Sequence, residues 1–156
     1  MRISEEFAKV HLIEPANYGS AGIDSDSVNM GRLHHLSATL LFGALTGNSV
    51  LKVYSGATAG AKTTALPFKY RVTSADFKAA NADQLGAFTS VLATGLTLTA
   101  ASFDHRMVHI GIDADQMTEG EKWLTIEIDA TATTLNVAGE GVGWPRYPGN
   151  AIPTVI

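Results

Sequence analysis

The chain contains no cysteine among its 156 residues. That excludes disulfides, thiolate metal sites and cysteine nucleophiles, so stability rests on packing or on assembly with other chains. Charge is also scarce: Asp, Glu, Lys and Arg make up 17% of the chain, against roughly a quarter in ordinary soluble domains. Hydrophobic residues account for 46%, which excludes a disordered, charge-driven chain and suggests few solvated helices and some surface destined to be covered. The net charge is −4, and the lysines and arginines are scattered singly. There is no basic stripe, so direct binding of nucleic acid is not expected. No apolar run reaches the ~18 residues that a membrane span requires. The opening "MRISEEFAKVHLIEP" carries two glutamates and no apolar core, unlike a signal peptide, and the expectation is synthesis in a cytoplasm.

What the sequence does have is alternation. In "LHHLSATLLFG", His34, Leu36, Ala38, Leu40 and Phe42 fall on one face of a strand, with Leu33, His35, Ser37, Thr39 and Leu41 on the other. "SVLKVYSG" sets Leu51 and Val53 against Val50, Lys52 and Tyr54. "ALPFKYRV" sets Leu66, Phe68, Tyr70 and Val72 against Lys69 and Arg71, and these two segments read as a hairpin. "RMVHIGID" places Arg106, Val108, Ile110 and Ile112 together, opposite His105, Met107, His109 and Gly111. "KWLTIEID" turns Leu124, Ile126 and Ile128 inward. The polar "ADQMTEGE" between these last two, with room for one helical turn, predicts a second hairpin. "AFTSVLATGLTLTAAS" suits strands broken at Gly95, and "SADFKAANADQLGA" is the one short helix candidate. Short strands separated by turn residues predict a single all-β domain, a β-sandwich or jelly-roll-like barrel. Its expected parts are an extended N-terminal arm with the first strand (1–30), a core (31–143) and a Gly/Pro-rich C-terminal tail (144–156).

Several stretches imitate functional motifs. "SGATAGAKTT" (55–64) carries Gly56, Gly60, Lys62 and Thr63 much as a phosphate-binding loop would. However, Ala61 stands where the second glycine belongs, and "TTALPFKYRV" opens a strand where a helix N-terminus is needed. A hairpin loop is expected. "GEGVGW" (139–144) lacks the βαβ setting of a dinucleotide site and reads as strand glycines allowing close backbone approach. Of the five histidines, His105 and His109 would lie roughly 13 Å apart on a strand, and His34 and His35 face opposite ways. Only a cross-strand pair such as His35 and His109 could converge, and no metal is expected. "DSD" (24–26) and "DADQMTEGE" (113–121) read as solvated turn acids, since the second has no glycine at position six of a calcium loop. There is no G-x-S-x-G, no H-E-x-x-H and no evident carboxylate pair, so no catalytic residue and no cofactor is assigned, and no enzyme is expected.

The ends are richer. "WPRYPGNAIPTVI" gathers Trp144, Arg146 and Tyr147 among three prolines, residue types suited to lying along another surface. Their packing onto the chain's own sandwich is the competing reading. The N-terminal segment offers Phe7 and Tyr18 as anchors of an arm that orders on a partner. Phe7, Tyr18, Trp144, Arg146 and Tyr147 are therefore the candidate interface residues.

"LLFGALTGNSVLKVYSGATAGAKTTALPFKYR" followed by "MVHIGIDADQMTEGEKWLTIEIDAT" resembles small virion proteins of tailed bacteriophages, the head decoration or cement proteins, over roughly residues 33–150. The resemblance implies a small β-rich, often jelly-roll-like module bound to the outside of the phage head. The implied partner is the major capsid protein, reached after synthesis in the host bacterial cytoplasm. It also implies a homo-oligomer, dimer or trimer, with no direct nucleic-acid contact, no membrane and no cofactor. The alternatives are another virion part, such as a tail or head–tail connector component, or a carbohydrate-binding sandwich using Trp123, Tyr54 and Tyr70 as a platform.

Overall fold

A computed structural model of the chain describes residues 6–80, 84–130 and 132–147. The chain is all-β, with two antiparallel sheets packed as a sandwich and no closed barrel. The strands are β1 (Ala8–Asn17), β2 (Ile23–Asp24), β3 (Val28–Asn29), β4 (Leu33–Thr46), β5 (Asn48–Gly56) and β6 (Thr64–Leu66). They continue as β7 (Phe68–Val72), β8 (Thr89–Val91), β9 (Leu96–Thr99), β10 (Met107–Asp113), β11 (Trp123–Ile128) and β12 (Thr134–Pro145). The longer sheet runs β1-β12-β4-β10-β7-β8. The shorter runs β2-β11-β5-β6, with β3 on β11 and β9 on β5.

The expected alternation holds except at the start of β4, where the register shifts opposite Pro145 and Leu33 is buried while His34, expected on the face of Leu36, is exposed. Leu36, Ala38, Leu40 and Phe42 of β4, Leu51 and Val53 of β5, Val108, Ile110 and Ile112 of β10, and Leu124, Ile126 and Ile128 of β11 are all buried in one continuous core. Burying such side chains contributes about 1.5–3 kcal/mol each before conformational entropy is counted.

Gly47, at φ +83°, turns the chain from β4 in one sheet into β5 in the other, a conformation that a side chain would resist. In β12, Gly139, Gly141 and Gly143 face inward. A methyl on Gly141 would lie 2.8 Å from Val10 and 3.1 Å from Leu36, so the absent side chains are where β1 and β4 pack. The "GEGVGW" stretch is thus a close-approach strand, as expected.

Four expectations need correction. The first hairpin exists only as Val53↔Leu66, Tyr54↔Ala65 and Ser55↔Thr64. Pro67 has no N–H to continue the ladder, and there the chain leaves the β5 sheet and enters the longer one as β7. The second hairpin does not form: β10 lies between β4 and β7, and β11 pairs with β5 in the opposite sheet. Alternation specifies a buried face but not a neighbour, and the 114–122 connection, which does hold a short 3-10 turn at Ala114–Gln116, passes from one sheet to the other along the surface. The N-terminal segment is not an arm from residue 8 onward, since β1 pairs with β12 from Ala8↔Gly143 to Asn17↔Asn136.

The helix candidate is also displaced. Residues 74–80 form turns, with the Asp76 carboxylate accepting from the Lys78 amide at 2.8 Å and the Asp76 carbonyl from the Ala79 amide at 2.8 Å. Such side-chain bonding competes with helix formation. One helical turn occurs instead at Ala100–Phe103. Residues 81–83 of the candidate lie outside the described residues, as do residues 148–156 of the tail. Among the described residues no helix is long and apolar enough to cross a membrane.

Candidate functional site

The outer face of the longer sheet carries two features. The first is an aromatic corner. Because Ala8 pairs with Gly143, the start of β1 and the end of β12 lie side by side. Phe7 meets Trp144 edge-to-face, with ring centroids 5.0 Å apart, and Trp144 meets His35 of β4 in the same way at 5.2 Å. Such pairs contribute about 0.5–1.5 kcal/mol beyond burial. Arg146 is held twice: its amide donates to the Arg32 carbonyl at 2.9 Å, and its Nε donates to the Leu33 carbonyl at 2.9 Å. Trp144 remains 41% exposed and Tyr147 68%, so neither belongs to the core.

Four of the five candidate interface residues therefore fall at one end of the sheet. Tyr18 does not join them. It sits past the far end of β1, packs against the core, and donates its hydroxyl to the Glu14 carbonyl at 3.0 Å.

The second feature is a groove of about 380 Å³, lined mainly by His35, Ser37, Lys69, Arg71, Phe88 and His109. Register builds it. Arg71 of β7 pairs with His109 of β10, and His109 pairs with Thr39 of β4. One step along, Lys69 pairs with Gly111, which pairs with Ser37; a further step brings Asp113 opposite His35. These residues share the solvent face, and Gly111, with no side chain, sinks its centre. A methyl there would lie 3.3 Å from His35 Cε1.

Local bonds fix the walls. Arg71 Nε donates to the Gly86 carbonyl at 2.8 Å, and the guanidinium lies 4.9 Å from the centroid of the Phe88 ring. His35 Nδ1 and Asp113 Oδ1 are 2.6 Å apart. His109 Nδ1 shares a hydrogen bond with Thr39 Oγ1 at 2.9 Å. Burial, with the nearby Arg71 charge as the lesser cause, pushes the His109 pKa below its ordinary 6.5.

The two histidines suggested as a cross-strand pair do line the same groove. Their backbones stand four residues apart along the ladder, roughly 13 Å, and each ring has its own partner, Asp113 for His35 and Thr39 for His109. Among the described residues no group of three or more His, Asp or Glu side chains is placed to hold a metal. His105 is not on the β10 face at all. It occupies a left-handed turn position, φ +51°, before the strand begins.

The phosphate-loop lookalike is a hairpin loop. Its lysine is consumed internally, with Lys62 Nζ 2.9 Å from Asp24 and 2.6 Å from Glu127. Nor do Trp123, Tyr54 and Tyr70 form one platform: Tyr70 belongs to the other sheet and turns toward the core, against Phe103. Phe88 had no signal of its own in the sequence, and only the β7–β8 pairing brings it beside Arg71.

Fold and site together define a two-sheet antiparallel β-sandwich with an aromatic corner and a cationic groove on one outer face. No family model and no curated protein matches the chain. Among solved structures, the crystal structure of SPBc2 prophage-derived protein YomS is similar over 88% of this chain and 91% of that one, with a TM-score of 0.48 and 18% identity. That likeness is too slight to assign family or function.

Proposed function

We propose that the chain is a non-enzymatic structural protein of a tailed-phage virion that decorates and stabilises the outer surface of the capsid, bound to the major capsid protein as a dimer or trimer. The observation that carries this reading is the aromatic corner. Exposed Trp144 and Tyr147, with Phe7 and Arg146 beside them, offer the residue types that anchor interfaces. Phe7, Trp144 and Arg146 are held at the ends of β1 and β12 by ring contacts and hydrogen bonds, so little of their conformational entropy is lost on docking. The resemblance of the strand pattern in residues 33–150 to head decoration proteins suggests the class of partner.

A module that binds assembled shell in preference to disrupted shell stabilises the former by mass action. The gain is about 2.7 kcal/mol per site at a hundredfold excess over Kd, and many copies multiply it. No bond is made or broken, so no catalytic group, cofactor or metal is required.

The test is co-sedimentation with expanded shells assembled from the capsid protein of the phage that encodes the chain. The wild type is expected to pellet with shells and to raise their disruption temperature. Trp144→Ala combined with Tyr147→Ala should fold and stay in the supernatant. A wild type that ignores shells and forms rings or tubes alone would be a tail or connector part, and the decoration reading would fall.

A further inference from the structure

The groove over Gly111 is built more deliberately than a surface irregularity, and the capsid reading makes no use of it. Its two ends differ in charge. At one end Lys69 and Arg71 project from β7; among the described residues Lys69 has no ion pair, and Arg71 uses its Nε on the Gly86 carbonyl. The rest of the Arg71 guanidinium, over the Phe88 ring, presents a planar set of N–H donors. At the other end, two residues further along β10, the Asp113 carboxylate is an acceptor beside His35. Between the ends the floor is Gly111, with Ser37 opposite. Phe88, 62% exposed, and Leu85 add an apolar wall.

We propose that this groove binds a short acidic peptide segment of a partner protein, a glutamate next to an apolar residue. The glutamate carboxylate lies on Arg71 and Lys69, a backbone N–H points to Asp113, and the apolar side chain rests on Phe88. The reasoning is complementarity. Phosphate would suit the cationic end but has no use for the acceptor at Asp113. A neutral sugar would leave two cations unpaired in the groove. A peptide glutamate offers a carboxylate and an amide N–H separated by a few bonds, matching the step of about 7 Å along the ladder from Lys69, opposite Gly111, to Asp113, with the longer Arg71 side chain entering from one step further away. Volume agrees, since about 380 Å³ lies within the range of small-ligand sites.

Binding is also coupled to a proton. The charged and polar groups around His109 are Arg71 and Lys69 on β7, Thr39 and His35 on β4, and Asp113 on its own strand. Arg71 opposes a second positive charge there. A bound carboxylate offsets the guanidinium, so His109 takes up a proton more readily in the complex and affinity rises as pH falls.

The inference stands apart from the capsid reading, because its assay needs no shell. The full chain is titrated with acetyl-Glu-Leu-amide while the histidine ring resonances are followed by NMR. The same titration is run with acetyl-Gln-Leu-amide and with inorganic phosphate at constant ionic strength. The glutamyl peptide is expected to shift the His109 resonances saturably, with about tenfold weaker binding of the glutaminyl peptide, and to bind more tightly at the lower of two pH values. Lys69→Glu, a change at an exposed side chain, and Arg71→Ala should each abolish the shift in protein that remains folded by circular dichroism. Equal binding of the two peptides, tighter binding of phosphate, no saturable shift, or binding that survives Lys69→Glu would each overturn the proposal.

Discussion

The outer faces of the two sheets are finished in different ways. On the shorter sheet the chain covers its own surface. The 57–62 loop lies over β11, with the Gly60 amide donating to Ser27 Oγ at 2.8 Å and Ser27 Oγ sharing a 2.8 Å hydrogen bond with Thr125 Oγ1, although Thr125 points away from the core. Asp24 and Glu127 stand opposite each other across β2 and β11, and the like charges are neutralised by Lys62. Ser55 and Thr64 both donate to Glu121, at 2.5 and 3.2 Å. On the longer sheet the equivalent face keeps Trp144 and Phe88 in solvent and leaves Lys69 without an ion pair among the described residues. One face pairs its charged groups internally, whereas the other, although His35, His109 and Arg71 Nε have partners there, leaves Lys69 and the rest of the Arg71 guanidinium for something else. Substitutions on the first should therefore cost stability, and those on the second should cost binding.

The sharpest way to break this contrast is to disturb what supports the binding face from behind. Gly141→Leu places a side chain where a methyl alone would sit 2.8 Å from Val10 on β1 and 3.1 Å from Leu36 on β4. Overpacking of this kind costs about 3 kcal/mol, because strands on both sides must move. Chemical denaturation should show a lower midpoint with an unchanged slope. Since Phe7 enters β1 directly, a displaced β1 should also dissolve the Phe7–Trp144 contact, visible as a change in near-ultraviolet circular dichroism. Full stability in this variant would mean that β1 is not packed as described.

A smaller effect separates the two outer faces themselves. Ser27→Ala removes one hydroxyl but leaves two groups without their partner, the Gly60 amide and the fully buried Thr125 hydroxyl. The expected cost is about 1–2 kcal/mol. The matched change on the opposite face, Lys69→Glu, should fall within about 0.5 kcal/mol of wild type. If the two variants were equally stable, the contrast between a self-satisfied face and an open one would be lost.

How far the sequence foretold this arrangement depends on the period of the signal. Inward and outward residues of β4, β10 and β11 were legible because alternation has a period of two and both sheets bury one face. The sheet to which each strand belongs was not legible. β10 and β11 carry equally good alternation, and nothing in "ADQMTEGE" distinguishes a tight hairpin from a crossing between sheets. β1 had its signal in Ala8, Val10 and Leu12. Past that point the ladder register shifts between His11 and Ile13 and again before Ala16, so Leu12 and Ile13 are both buried and the pattern breaks. Trp144, Arg146 and Phe7 could be singled out by residue type alone. The groove could not, since Arg71, His109, Gly111 and His35 come from three strands and meet only through register.

The finest probe of the open face is its response to pH. His109 has a folded pKa below 6.5, chiefly through burial and secondarily through Arg71. The unfolded chain therefore binds a proton at this ring, as pH falls through 6.5, before the folded chain does. The contribution of neutral His109 is complete above that pH. It declines as pH drops toward the lower folded value and is level below it. Between about pH 7.5 and about pH 5, wild type should lose more thermal stability than His109→Gln, which cannot titrate. The difference should be small, because the ring is only half-buried, and it should shrink when acetyl-Glu-Leu-amide is present, since a carboxylate beside Arg71 removes one of the two causes of the shift. Identical pH profiles for the two proteins would mean that His109 is solvated like a free imidazole, and the groove would then lack the low-dielectric wall that gives its charges their strength.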